Sequence, residues 1–390
     1  MTPALFGSRH ILPSRRQSQR GQALLLTVLA LAIGLGAMFY SFFGAARQTI
    51  AYDRVTNAAM ARAKEALIGY AASDSNRPGS LPCPDTDNDG SAESPFTSGT
   101  ECPSYIGRLP WRTLGLPDLR DGSGERLWYA VTREFARNPS CGSTCPMNSD
   151  TKGTLTIAGT SPATNIIAVV FAPGPVVATQ DRSVANQNTV AHYLEGGNET
   201  GIGTSTFVTG ATTASFDDRL LTISGADVMT PVEKRTARVI LQLLADYRSG
   251  SACDCYPWAD NNWNGTGNSG ARYGGIPLVS ASPDSWLSAA GYNPPAWLAT
   301  NQWYKVIFYA VSQRDADGGG AGDPQFTVDS TGNVRVVLIT TGPAVTGDSR
   351  PSSNWNDYVN DSENNDDGVQ FITPLSTAYA RDRISWRTSP

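Results

Sequence analysis

Carboxylates recur at alternate positions in Asp85-Thr-Asp87-Asn-Asp89-Gly90-Ser-Ala-Glu93, with glycine where the chain must turn. Hard oxygen donors in that pattern are what Ca²⁺ asks of a loop. Asp85, Asp87 and Asp89 would each offer a carboxylate, Ser91 a backbone carbonyl, and Glu93 a direct or water-mediated contact. The twelfth position of an EF-hand loop is here Phe96 rather than Glu, so a complete EF-hand is excluded and further ligands would come from elsewhere, Glu101 or Asp121 being candidates. The competing reading is a solvated acidic turn. Asp260-Asn-Asn262 stands at the matching place later in the chain, where the charge has been lost. Asp315-Ala-Asp317 and the run from Asp361 through Glu363 to Asp366 and Asp367 read as solvated loops.

Catalytic chemistry finds little support. His10 and His192 are the two histidines, and neither a G-x-S-x-G elbow nor an H-E-x-x-H helix occurs. Gly265-Thr-Gly267-Asn-Ser-Gly270 fits the letters of a dinucleotide fingerprint, but no apolar strand precedes it and no helix follows it. The chain is read as a non-enzyme. The six cysteines Cys83, Cys102, Cys141, Cys145, Cys253 and Cys255 are expected in disulfides. Proximity favours Cys83 with Cys102 and Cys141 with Cys145, while Cys253-Asp-Cys255 lacks the neighbouring histidine that a zinc site would want. Trp258, Trp263, Trp286, Trp297 and Trp303 could build a surface for a glycan or peptide ligand, although packing is the commoner fate of such residues.

The elements that carry these residues occur twice. Gly107-Arg-Leu-Pro110, Leu127 to Val131, Ile166 to Phe171, Gly174-Pro175 with Arg182, Tyr193-Leu194, Phe207 and Asp218-Arg219 are followed, in the same order, by Gly274 to Pro277, Ile307 to Val311, Val334 to Ile339, Gly342-Pro343 with Arg350, Tyr358-Val359, Phe371 and Asp382-Arg383. Such internal repetition bears on architecture more than any single motif. Each copy reads as a helix, a Trp/Tyr-rich strand, a β-branched strand, a long polar loop and a closing strand. The expected fold class is therefore α+β, with two tandem heads in which an antiparallel sheet covers a helix. The second helix is expected over 232–248, with Val232, Val239, Leu243 and Tyr247 on its apolar side.

Upstream, Ala23 to Phe43 is uncharged and predicts a transmembrane helix, since about 20 apolar residues cross a hydrocarbon core. Arg9, Arg15, Arg16 and Arg20 precede it, which would leave the N-terminus cytoplasmic and the heads exported. The run continues as an amphipathic helix whose apolar stripe is Ala51, Val55, Ala59, Ala63, Ala66 and Tyr70. A helix over 22–73 would be roughly 75 Å long. The expected layout is a basic leader at 1–21, this spine at 22–73, a first head at 74–228 and a second at 229–390.

The spine resembles that of type IV pilins and type II secretion pseudopilins, with Gly21-Gln22 at the position of the leader cleavage. AKEALIGYAAS, LPCPDTDNDG, GRLPWRTLGLP and LWYAV further resemble a group of poorly characterised proteobacterial prepilin-like proteins. The resemblance implies a minor pilin or pseudopilin, at the tip of a filament or initiating it, because Leu26 stands where family members carry Glu. It also implies a single-pass inner-membrane protein with heads in the periplasm or on the filament surface, partnered by other pilin or pseudopilin subunits and processed by a prepilin peptidase. The alternative is a membrane-tethered periplasmic binding or adhesion module. Nucleic acid is disfavoured as a partner: the formal charge is −5, and with four arginines in the leader the remainder carries 26 basic against 35 acidic residues.

Overall fold

Four of the described strands, Ile106–Arg108, Trp128–Val131, Ile307–Val311 and Val336–Thr340, are buried along their whole length, as expected where both faces of a sheet are covered. The computed structural model describes residues 18–94, 101–136, 144–177, 179–200, 205–278, 293–316, 319–359, 364, 368–373 and 382–388. It divides into two compact units, Met1–Val55 and Thr56–Pro390.

The chain is α+β, and α1 is one continuous helix over Ser18–Ser73. The membrane-crossing role expected for it is not upheld. Among the described residues no helix is long and apolar enough to cross a membrane. The transmembrane spine and the single-pass inner-membrane localisation are therefore corrected. Gly21 and Gln22 both fall within α1.

In the larger unit α1 buries Thr56, Ala59, Met60, Ala63, Leu67 and Ala71. The stripe is rotated from the expected one: Ala59 and Ala63 are shared, but Val55 is 50% exposed and Ala66 and Tyr70 are half-buried. Met60 and Leu67 explain the rotation, since the face with the larger apolar side chains gains more by leaving water. Truncating Leu67 to Ala would cost about 2–5 kcal/mol.

The first sheet has the order β1 (Ile106–Arg108), β2 (Trp128–Val131), β4 (Ala163–Ala172), β3 (Leu155–Gly159), β5 (Thr206–Thr209), with β6 (Arg219–Ser224) also on β4. Long β4 pairs with β3 through Ala163 and Ile166 and with β6 from Ile166 to Ala172. The second sheet runs β13 (Arg383–Arg387), β11 (Val336–Thr340), β8 (Ile307–Val311), β7 (Tyr273–Gly275). A small sheet of β10 (Thr331–Val334), β9 (Phe326–Val328) and β12 (Gln370–Phe371) accompanies it. The two sheets share details. Ile157 on β3 lies beside Phe207 in a parallel pair, and Val328 on β9 lies beside Phe371 in another. The Tyr129 hydroxyl donates to the Pro82 carbonyl, and the Tyr309 hydroxyl to that of Pro257.

Helix α2 (Gly225–Gly250) opens with a capping box between Ser224 and Asp227. It begins seven residues before the expected start, and the expected division of the heads at 228/229 falls inside it. Val232 and Tyr247 are buried, but the buried face is completed by Val228, Ile240 and Leu244, while Val239 and Leu243 are half-buried. Alternation along the strands then separates two kinds of core. Tyr129, Val131, Val170, Tyr309, Val311 and Leu338 join α1 and α2 in one shared cluster. Trp128, Val169 and Phe171 face a separate cluster under the first sheet's loops, and Phe308, Val337 and Ile339 one under the second's. Polar ties cross the shared core: Lys64 pairs with Asp227 at 3.0 Å, and Arg235 caps α1 through the carbonyls of Ala72 and Asp74.

Candidate metal centre

The acidic loop is anchored at both ends. Cys83 is disulfide-bonded to Cys102. Asp85 exchanges backbone hydrogen bonds with Arg108 on β1 at 3.0 and 2.7 Å. A Cβ at Gly107 would lie 2.5 Å from the Asp85 carbonyl oxygen, so this approach requires glycine.

Within the loop Asp85 is 1% exposed. Its Oδ1 accepts from the Asn88 amide at 2.6 Å and its Oδ2 from the Gly90 amide at 2.8 Å. Asn88 and Gly90 both have positive φ, 66° and 90°, which closes the turn around that carboxylate. Asp87 Oδ1 accepts from the Asp89 amide and Asp89 Oδ1 from the Ser91 amide, so each side chain folds back on the turn. Arg126 braces the outside, donating to the Asn88 carbonyl and side-chain oxygens while pairing with Asp118.

Asp85, Asp87 and Asp89 each bring one carboxylate oxygen within 4.8 Å of the others, and this group could hold a metal ion. Asp87 and Asp89 are exposed. Burial is the largest influence on Asp85 and raises its pKa; amide hydrogen bonds oppose it, and the charges of Asp87 and Asp89 raise it further. A bound cation would relieve that mutual repulsion.

The other expected ligands have these partners. Glu93 Oε1 accepts from the Thr86 amide and hydroxyl, and Ser91 enters the network through its amide. Glu101 pairs with Arg133. Asp121 closes its own turn and accepts from the Gly174 amide. Phe96 lies outside the described residues.

Asp260 begins the corresponding turn in the second copy. It is fully buried, exchanges backbone hydrogen bonds with Gly275 on β7, and accepts from the amides of Asn262 and Gly265. Trp263 and Gly265 carry the positive φ angles, 54° and 90°. Asn262 and Asn264 replace Asp87 and Asp89, and Asn264 Oδ1 accepts from the Thr266 amide as Asp89 Oδ1 does from Ser91.

Cys253 and Cys255 are disulfide-bonded to each other. Cys145 is also disulfide-bonded, whereas Cys141, its expected partner, lies outside the described residues. Trp263, Trp297 and Trp303 are buried and Trp258 packs against the shared core, so these residues serve packing; Trp286 lies outside the described residues. His192 accepts from the Asp181 amide through Nδ1. Asp315 is buried and bonded to Ser312 and Gln325, while Asp317, Asp361, Glu363, Asp366 and Asp367 lie outside the described residues.

A second acidic group was not foreseen from sequence. Glu195, Asp217 and Asp218 are 8%, 6% and 5% exposed. Burial pushes the Asp217 carboxyl up to about 7 and the Asp218 carboxyl up to about 8. Adjacent Asp217-Asp218 was the only local signal; Glu195 reaches them through the fold, accepting from the Asp217 amide. Comparison with known proteins finds no family model, curated protein or solved structure that matches this chain.

Proposed function

We propose that this chain is a structural subunit of a pilin- or pseudopilin-like filament, and that Ca²⁺ is the ion taken by its acidic loop. The observation that supports the filament reading is the apolar surface of α1, where Leu24, Leu25, Leu29, Leu31, Ile33 and Leu35 are all more than half exposed. A helix that is apolar around its circumference is normally covered, and the cover offered here is the same segment of neighbouring subunits. This reading asks α1 to pack against other helices, not to cross a bilayer.

Gly34 and Gly36 provide the test. A Cβ at either would meet nothing within 4 Å, so a larger side chain leaves the chain's own fold undisturbed but obstructs close approach by another helix. Gly34→Leu and Gly36→Leu are expected to accumulate normally yet disappear from a sheared filament fraction, and Gly21→Leu to retain residues 1–21 by intact mass. If all three variants match wild type in both assays, the filament reading is wrong.

The identity of the ion rests on donor chemistry, since three hard carboxylates without nitrogen or sulfur suit Ca²⁺. Ca²⁺ at a hundredfold excess over its dissociation constant should stabilise the protein by ~2.7 kcal/mol. Asp87→Ala should remove that shift in melting temperature. A wild type that melts unchanged in millimolar Ca²⁺ would leave the loop an acidic turn.

A further inference from the structure

A cleft of about 490 Å³ opens beside the acidic loop, with Thr86, Ser104, Ile106, Arg108, Val190 and Glu199 among its walls. Arg108, only 4% exposed, lies with its guanidinium 4.4 Å from the Trp128 ring centre and 4.0 Å from that of Tyr193. It donates to the carbonyls of Gln187 and Arg126 at 2.9 and 3.3 Å. Its Nε makes no hydrogen bond, and neither does Trp128 Nε1, another residue of the cleft. Two nearby arginines have carboxylates: Arg126 pairs with Asp118 and Arg182 with Glu125. Among the described residues Arg108 has no salt bridge. A buried cation with no carboxylate in ion-pair contact is costly, and burial already lowers its pKa.

The second copy closes the equivalent space. Gly275 takes the place of Arg108 in the backbone bridge. The Trp263 ring stacks on Tyr358 at 3.7 Å and 2°, and a Cβ on Gly275 would lie 2.9 Å from that indole. In the first copy Asn88 stands at the Trp263 position and turns to Gln187, leaving the space open.

We propose that this cleft binds a small organic monocarboxylic acid, its carboxylate received by Arg108 and its hydrocarbon part lying against Ile106 and Val190. Two buried donors lack acceptors there, one of them cationic, and a carboxylate supplies acceptors and counter-charge together. Asp85 and Glu199 also line the cleft. Backbone amides engage both, those of Asn88 and Gly90 for Asp85 and that of Gly197 for Glu199. Their charge disfavours a second negative group on the ligand, which selects mono- over dicarboxylates.

The test is titration of the full chain with hexanoate, hexanamide and adipate, read by ligand-detected saturation-transfer NMR. Hexanoate should bind, and hexanamide and adipate should each bind at least about tenfold more weakly, because recognition rests on one charge-assisted contact. Val190→Trp places an indole in the cleft while leaving Arg108 itself unaltered and should abolish binding at unchanged melting temperature. Trp263→Phe, in the second copy, should leave it intact. Absence of hexanoate binding at millimolar concentration, equal binding of hexanamide, or wild-type binding by Val190→Trp would each overturn the proposal.

Discussion

The turns that begin at Asp85 and Asp260 share a scaffold and differ in charge. In each, a buried aspartate accepts amides two or three and five residues on, a left-handed residue follows at the third position, and glycine closes the turn at the fifth. Asparagine at 262 and 264 is compatible with the second turn, so carboxylates at 87 and 89 are not needed to build the first. Two exposed charges beside a buried one raise the energy of the metal-free loop. What the comparison teaches is which residue does what: Asp85 and Asp260 hold backbone, and Asp87 and Asp89 are the additions that give the first loop its capacity for a cation.

The largest effect is expected where the scaffold itself is removed. Asp85→Ala and Asp260→Ala each leave two amides without acceptors in a buried turn, costing about 2–4 kcal/mol. Chemical denaturation should show similar losses for both. A loss confined to one variant would break the equivalence of the two turns.

A smaller effect concerns the carboxylates under the first sheet. Asp217 and Asp218 are raised by burial from 3.8 to about 7 and about 8. For groups raised on folding, the stability they contribute is complete below their unfolded pKa and is lost as pH rises through the folded one. Melting temperature should therefore fall as pH climbs from the ordinary carboxylate value toward about 8. Asp218→Asn should flatten that decline, and a slope unchanged in the variant would remove Asp218 as its source. In the second copy Asn360 and Arg381 stand at the positions of Glu195 and Asp217, so Asp382→Asn should alter the slope less.

The smallest effect is the reverse graft. Asn262→Asp with Asn264→Asp gives the second turn the charge pattern of the first. It should lower stability slightly without added metal and recover it with Ca²⁺, as followed by thermal unfolding. Destabilisation that Ca²⁺ does not relieve would show that alternate carboxylates on this scaffold are insufficient.

Much of the local chemistry was legible in the sequence because it is encoded within a few residues. The alternating aspartates meet as their spacing suggests, and Cys83 pairs with Cys102 as proximity favours. The strand segments around Trp128 and Phe308 could be read from their aromatic and β-branched runs. What escaped depended on packing over long separations. The buried face of α1 is set by Met60 and Leu67 against residues from both sheets, and alanine spacing alone misphased it. The membrane-crossing role was inferred from one uncharged run, and the described helix does not sustain it. Arg108 gave no sign of its place, since Trp128 and Tyr193 reach it from separate parts of the chain. The second copy's tryptophans looked like a ligand surface, yet Trp263 and Trp303 are core residues.

The division of labour within the acidic loop is tested most directly by calorimetric titration of Ca²⁺ into the wild-type chain and into the double variant Asp87→Asn/Asp89→Asn. In metal-free buffer the variant should melt at or slightly above wild type, because asparagine can serve the turn and the repulsion around Asp85 is gone; wild type should bind one Ca²⁺ at this loop and the variant should lack that event. Equal binding by the two proteins, or no binding by wild type at millimolar Ca²⁺, would contradict it.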